Sequence, residues 1–352
     1  MTMRFLITTP GDTQVQAIAG AVFDELKNNL TGAEIELVPI YDFHLKATYF
    51  ERRISKLGLK NYKRIYHEKL TAEFMAKCRQ FEPDFILVLG GVVDFDQMLE
   101  FLSQYRVILW LWDSYRRFSG LIRLVKISSE VFCFEYEDVA DLRENFNIES
   151  RYLPLGANEK IYCPAECERD VDISFVGAPR RERVKLLEQV CARAMEKNWS
   201  VKIVGPFLQE RHFYKKIFFR FKNSHLVKCV DRDYTAPAET ADLYRRSKIC
   251  LNINTVEHHS LSPRTFEICA TKSFQLMNGG QASHGLMNLE TDLVTFDGVE
   301  DLLAKIEFYL AHDDLREKIA AAGYESTMKN CTLKKSVAKL LAESKIIQGS
   351  AQ

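Results

Sequence analysis

The chain has 352 residues, 47% hydrophobic and 27% charged, with 48 basic residues balancing 48 acidic ones. This ordinary globular composition is long enough for two domains that each bury a core. A net charge of zero gives no bulk attraction to nucleic acid, and no apolar run approaches the ~20 residues of a membrane span.

Arg4 to Thr8 is a short apolar strand closed by Pro10 and Gly11, a strand and turn rather than a signal peptide. A helix capped by Asp12 or Thr13 and a strand from Glu34 to Ile40 follow, giving a right-handed parallel unit. Tyr41 to Phe81 is mainly helical in pattern. Its first half is basic and aromatic, with Lys46, Tyr49, Phe50, Arg52, Arg53 and Lys56 among others. Phe85 to Leu89, Val107 to Trp112, Val131 to Phe134 and Arg151 to Leu155 complete about six strands of a doubly wound α/β half. Asn158 to Asp170 is polar with no apolar period and is expected to be the linker.

A second alternation begins at Asp172. Strands are expected at Asp172 to Val176, Ser200 to Val204, Leu226 to Val230, Ile249 to Ile253 and Leu293 to Phe296. Helices are expected at Arg180 to Lys197 and Glu239 to Ser247, with three more closing the chain from Val299. The expected division is 1–157, 158–330 and a last helix in 331–352 that can cross back to the first domain. Arg211 to Lys222, RHFYKKIFFRFK, is basic and aromatic with no acid. It is either a helix with a buried aromatic face and a solvated basic one, or a contact for an anionic acceptor or a membrane surface. The nine cysteines, an odd count without regular spacing, point to reduced, buried thiols in a cytosolic protein.

The stretch from Asn254 to Gly280 carries the chemistry. Ser262-Pro263 starts a helix directly after a strand and a loop, so free amides and a positive dipole face an anion. Arg264, in the first turn, could grip a diphosphate at two points. Glu267, one turn deeper, only accepts hydrogen bonds and suits a pair of sugar hydroxyls. Gly279 and Gly280 permit close backbone approach. The plain alternative is an i,i+3 Arg–Glu helix pair beside an ordinary turn. No G-x-G-x-x-G follows the first strand and no phosphate-loop signature G-x-x-x-x-G-K-[ST] occurs, which disfavours a dehydrogenase or a P-loop kinase.

Five segments occur in family order: LPLGANEKIYCP, DISFVGAPRRERVKLLEQV, ADLYRRSKICLNIN, RTFEICATKSFQLMNGG and DDLREKIAAAGYESTMKNCTLKKSVAKLL. Together they resemble the C-terminal domain of GT-B glycosyltransferases, in particular the CgeB-like (spore maturation protein) group. The first half is similar only in general organisation. The resemblance implies a GT-B fold, two Rossmann-like doubly wound domains facing a central cleft. The nucleoside-diphosphate sugar would bind the C-terminal domain and the acceptor the N-terminal one.

By that resemblance Glu267 takes the ribose hydroxyls. Gly177 and Arg180 or Arg181 fall near the diphosphate, and Ser260, Leu261 and Arg264 point at the phosphates; Gly205, Gly279 and Gly280 are further donor-site candidates from the residues themselves. His259 stands where many retaining members carry the first Glu of an E-x7-E pattern, so retention and inversion of stereochemistry both stay open. The implied reaction passes through an oxocarbenium-like centre. Amides and arginines stabilise the departing diphosphate, and no metal or other cofactor is expected. Asp231-Arg-Asp233 has the spacing of a metal motif but not the context. If transfer inverts, Asp113, beside Trp110 and Trp112 at a strand end, is the preferred base, against a plain role as a turn or cap residue. His44, His67, His258 and His259 are rivals.

The acceptor, whether glycan, lipid-linked or protein, is left open, with no nucleic-acid partner. The setting implied is a bacterial cytosolic enzyme of cell-surface glycan assembly, with peripheral membrane contact through the basic-aromatic stretches. A sugar-nucleotide epimerase, another GT-B enzyme, or a non-catalytic binding or assembly protein are the alternatives.

Overall fold

The computed structural model describes residues 2–9, 13–39, 60–91, 96–118, 120–209, 213–255, 259–345 and 347. The chain divides into two compact units, Met1–Leu155 with Leu333–Gln352, and Gly156–Thr332. The expected basic-aromatic segment from Lys46 to Lys56, His44 and His258 lie outside the described residues, as does the side chain of His67.

The first unit runs β1 (Arg4–Thr9), α1 (Thr13–Asn29), β2 (Glu34–Pro39), α2 (Lys60–Phe81), β3 (Phe85–Leu89) and α3 (Asp96–Leu102). It continues with β4 (Arg106–Leu111), α4 (Leu121–Ile127), β5 (Glu130–Cys133), α5 (Tyr136–Phe146) and β6 (Arg151–Tyr152). The strands form one parallel sheet in the order β2-β1-β3-β4-β5-β6. Continuous apolar runs such as Phe85–Leu89 are buried on both faces, as a parallel sheet covered by helices requires. Leu6, Ile86, Val88 and Leu109 pack with Phe74 of α2 and Leu124 of α4. Phe5, Ile7, Leu87 and Trp110 face the other way, onto Val22 and Leu26 of α1.

That second face is completed from the far end of the chain. Helix α13 (Leu333–Glu343) inserts Leu333, Val337 and Leu340 beside α1. The Ser336 hydroxyl donates to the Pro154 carbonyl at 2.8 Å.

The second unit runs β7 (Val171–Val176), α6 (Arg181–Lys197), β8 (Val201–Val204), α7 (Phe213–Lys222), α8 (Ser224–Cys229), β9 (Val230–Arg232) and α9 (Pro237–Arg246). Then come β10 (Ser247–Asn252), α10 (Pro263–Ala270), β11 (Gln275–Asn278), β12 (Val294–Phe296), α11 (Gly298–Leu310) and α12 (Asp313–Asn330). Its sheet is also wholly parallel, in the order β12-β11-β10-β7-β8-β9. Counted within the unit this is the doubly wound order, with chain direction across the sheet reversing between β7 and β10. Alternate residues of β10 serve opposite faces. Ile249 and Leu251 meet α6 and α11, while Cys250 meets Tyr244 of α9 and Phe266 of α10.

Two expectations are corrected. Leu226 to Val230 is not one strand: residues 224–229 are helical, and β9 starts only at Val230. The Glu188 carboxylate of α6 accepts from the His225 amide at 3.3 Å and the Leu226 amide at 2.9 Å, capping α8 from another element. Nor is Asn158 to Asp170 a loose linker, because it belongs to the second unit. Arg245 donates to the carbonyls of Cys163 at 2.7 Å and Ile161 at 2.9 Å, and Arg169 to that of Ser247 at 2.6 Å. Buried Tyr162 lies against Tyr244, ring centroids 6.4 Å apart and 29° from parallel. All nine cysteines are free, but not all are buried as expected: Cys167 is exposed, and Cys163 and Cys229 are partly so.

Candidate functional site

In a doubly wound sheet the ligand crevice opens beyond the carboxyl ends of the strands, where the order reverses. In the second unit that point lies between Gly177, after β7, and Ile253 to Asn254, after β10. Two helices begin there. α6 starts at Arg181 after Arg180, and α10 starts at Pro263 after Ser262; neither cap residue bonds its helix through its side chain. The first-turn amides of α6 remain donors for an anion, while in α10 Pro263 has no N–H and the Thr265 amide donates to the Ser262 carbonyl at 2.9 Å, which leaves the Arg264 amide.

Arg183 ties the two strand ends together. Its Nε donates to the Ile253 carbonyl at 2.7 Å and its Nη1 to the Ala178 carbonyl at 3.1 Å, and its guanidinium lies 5.8 Å from the Phe175 ring centre. Burial lowers its pKa to about 10, helped by the like charges of Arg264 and Arg180. Three guanidinium groups therefore lie close enough to repel one another beside the strand ends. An anionic ligand would relieve their mutual repulsion.

The first turn of α10 is held by a buried amide network. Asn252 Nδ2 donates to Thr265 Oγ1 at 2.9 Å and to Gln275 Oε1 at 3.2 Å, and Gln275 Nε2 donates to the Thr265 carbonyl at 3.2 Å. The loop ahead is held by Asn278 of β11, which accepts from the Asn254 amide at 2.5 Å and donates to its carbonyl at 3.3 Å. Within this frame Asn254 Nδ2, Thr255 Oγ1, Ser262 Oγ and Arg264 Nε are buried without a hydrogen-bond partner among the described residues. Four orphaned polar atoms on one loop and helix start are what a polar ligand would satisfy.

Glu267 lies one turn behind Arg264. Desolvation raises its pKa, while Arg264 and a hydrogen bond from Tyr162 hold it down. Burial likewise raises the Tyr162 phenol, with the Glu267 charge adding to it. The Arg264 charge acts on the Tyr244 phenol as well, against a larger upward push from burial. The carboxylate thus has two tyrosines and one guanidinium within electrostatic reach.

The remaining expected donor residues divide by environment. Arg180 and Arg181 are exposed at the start of α6. Ser260 and Leu261 are fully enclosed, and Leu261 packs with Phe266 and Tyr162, so its side chain serves the core. Gly205 has φ +156°, and a Cβ there would stand 2.0 Å from the Gly177 carbonyl oxygen. Its lack of a side chain lets β7 and β8 end together. Gly280, at φ +100°, has open space around it, and Gly279 donates to the Phe296 carbonyl at 3.0 Å. His259 is exposed, and its carbonyl accepts from the Ala282 amide at 2.8 Å. Arg183 and Tyr162 escaped the sequence reading; the run of arginines at 180, 181 and 183 was the available signal for the first.

In the first unit Asp113 follows β4. It accepts from the Ser114 amide at 2.9 Å and pairs with Arg117 at 2.5 Å. That is the geometry of a turn residue with a cationic partner. Next to it Asp138, at the start of α5, is fully buried and accepts from Ser114 Oγ at 2.9 Å, the Tyr115 amide at 3.2 Å and Arg116 Nε at 3.1 Å. Burial raises its pKa to about 6, against the opposing pull of Ser114 and Arg116.

Residues 180–342, which include Arg183, Arg264 and Glu267, match the family of glycosyl transferase-like proteins. That match spans just under half of the chain, and over it the sequence is similar to glycosyl transferase-like proteins. The resemblance to GT-B glycosyltransferases of the CgeB-like group holds beyond that span. Spore protein CgeB of Bacillus subtilis (strain 168) is 24% identical over 291 residues, covering 78% of this chain and 87% of that protein. Among solved structures, sucrose-phosphate synthase from Thermosynechococcus elongatus superimposes with a TM-score of 0.70 at 12% identity, covering 99% of this chain and 100% of that one. HepE of Anabaena, in complex with UDP and glucose, gives a TM-score of 0.67 at 10% identity, covering 99% and 100%. The chain therefore has the GT-B fold of two Rossmann-like α/β units.

Proposed function

We propose that the protein is a glycosyltransferase that takes a sugar from a nucleoside-diphosphate donor held in the second unit. The crevice between β7 and β10 carries this reading: three guanidiniums and two helix starts lie beside it, with orphaned polar atoms on the same loop. Arg183, Arg264, Arg180, the first-turn amides of α6 and the Arg264 amide of α10 receive the diphosphate. These groups stabilise the charge that grows on it as the glycosidic bond breaks, and transfer needs no metal. Glu267, kept in place by Tyr162, accepts from the ribose hydroxyls. HepE's complex with UDP makes a uridine nucleotide the first donor to try.

The acceptor is a glycan, lipid-linked or protein hydroxyl group at the first unit, in a cytoplasmic enzyme. If transfer inverts, Asp113 takes the hydroxyl proton after Arg117 releases it. The Asp113–Arg117 pair, with His259 in place of a carboxylate, also favours a second reading, a nucleotide-sugar-binding protein without turnover.

A panel of nucleoside diphosphates tested by thermal shift decides the first point. At a hundredfold excess over Kd, UDP should stabilise the protein by about 2.7 kcal/mol. Arg183→Ala should weaken UDP ten- to a hundredfold, the loss of charge-assisted hydrogen bonds of about 1.5–3 kcal/mol, while sparing uridine. Glu267→Ala should weaken both. No shift with any nucleoside diphosphate would sink the donor site. Donor cleavage that depends on acceptor and survives EDTA supports transfer, and binding without turnover supports the second reading.

A further inference from the structure

No helix among the described residues is long and apolar enough to cross a membrane. Helix α7 has a different relation to apolar surroundings. Tyr214, Ile217, Phe218 and Phe221 fall at positions i, i+3, i+4 and i+7, one stripe along one face. They are 67%, 53%, 66% and 86% exposed, and include the three most exposed large hydrophobic side chains among the described residues. Such a stripe is costly in water and marks a surface that is covered in use.

The opposite side of α7 is tied down. Phe219 packs on the core of the second unit. The stripe is therefore held outward by its own unit. Its charge is of one sign only. α7 carries Lys215, Lys216, Arg220 and Lys222 and no acid, in a chain of zero net charge. Helical spacing places Lys222 on one side of the stripe and Arg220 on the other. Lys216, Arg220 and Lys222 form no ion pair among the described residues.

We infer that α7 docks the protein on an anionic lipid surface, lying flat with its aromatic stripe at the acyl boundary and its cations on the headgroups. A lipid interface offers apolar contact and negative charge together, which is the complement of this face. A second copy meeting α7 face to face would set cation against cation with no acid between them. The inference rests on α7 alone and stands whether or not the donor site is as proposed.

The test is co-sedimentation of the full chain with vesicles of phosphatidylcholine alone or mixed with phosphatidylglycerol. The protein should bind the mixed vesicles, bind the neutral ones at least tenfold more weakly, and come off in high salt. Phe218→Ser with Phe221→Ser, and separately Lys216→Glu with Arg220→Glu, should each lower binding at least tenfold. Both substitute side chains on the exposed or partly exposed surface, so circular dichroism and Tm should match the parent. Equal binding by the variants, or no binding to anionic vesicles, overturns the inference. So does a dimer in sedimentation analysis that Phe218→Ser with Phe221→Ser dissolves, which would assign the stripe to a second copy.

Discussion

Asp138 shows how one buried carboxylate can tune stability. Its pKa rises from 3.8 to about 6, so the native state holds this proton more tightly than the unfolded chain does. Well below pH 3.8 both states are protonated and the contribution is complete. It is lost as pH climbs through about 6, by as much as about 3 kcal/mol. Asp138→Asn removes this dependence. The Tm difference between parent and variant should therefore move against the parent from pH 4 to pH 7, and a constant difference would refute the assignment. Residues differ in how much of this the sequence reveals. Arg264 and Glu267 are legible because Ser262-Pro263 announces a helix start beside them. Arg183 meets the Ile253 carbonyl 70 residues away, and Tyr162 meets Tyr244 across a segment whose composition reads as linker. Only sheet pairing and packing bring those partners together.

At the scale of elements, α10 is aimed by its neighbours more than by its own sequence. Asn252 of β10 and Gln275 of β11 hold Thr265 from below. Asn252→Ala would leave Thr265 Oγ1 and Gln275 Oε1 short of a donor in a buried place, at a cost of about 1–3 kcal/mol. Chemical denaturation should show that loss, and UDP binding should weaken with it because the helix start carries the site. Unchanged UDP affinity would mean that α10 is aimed by other contacts. The strands were legible wherever apolar runs exceed four residues between turn signals. The run from Leu226 to Val230 was not, since period alone cannot separate a short buried helix from a strand. Glu188, which decides it, lies on another helix.

At the scale of the molecule, the doubly wound order of the second sheet explains why a chain of balanced charge can concentrate cations at one place. Residues from β7, α6, β10 and α10 converge where the strand order reverses. The alternation of strands and helices was visible in the sequence, whereas the order of strands within each sheet was not. The first unit is built from both ends of the chain. Val337 of α13 is fully buried among first-sheet side chains. Val337→Ala should cost about 1–3 kcal/mol, visible as an earlier melting step of the first unit, while UDP still stabilises the second. A single step shifted together with loss of UDP binding would show that the units do not melt separately.

That return of α13 also sets an order of events during synthesis. Domains generally fold as units, N-terminal first, but here the first unit lacks part of its core until the last helix has been translated. The second unit, Gly156–Thr332, has its whole sequence available earlier. A ribosome-stalled chain with residues up to Thr332 outside the exit tunnel should resist protease in its second unit and remain cleavable in its first.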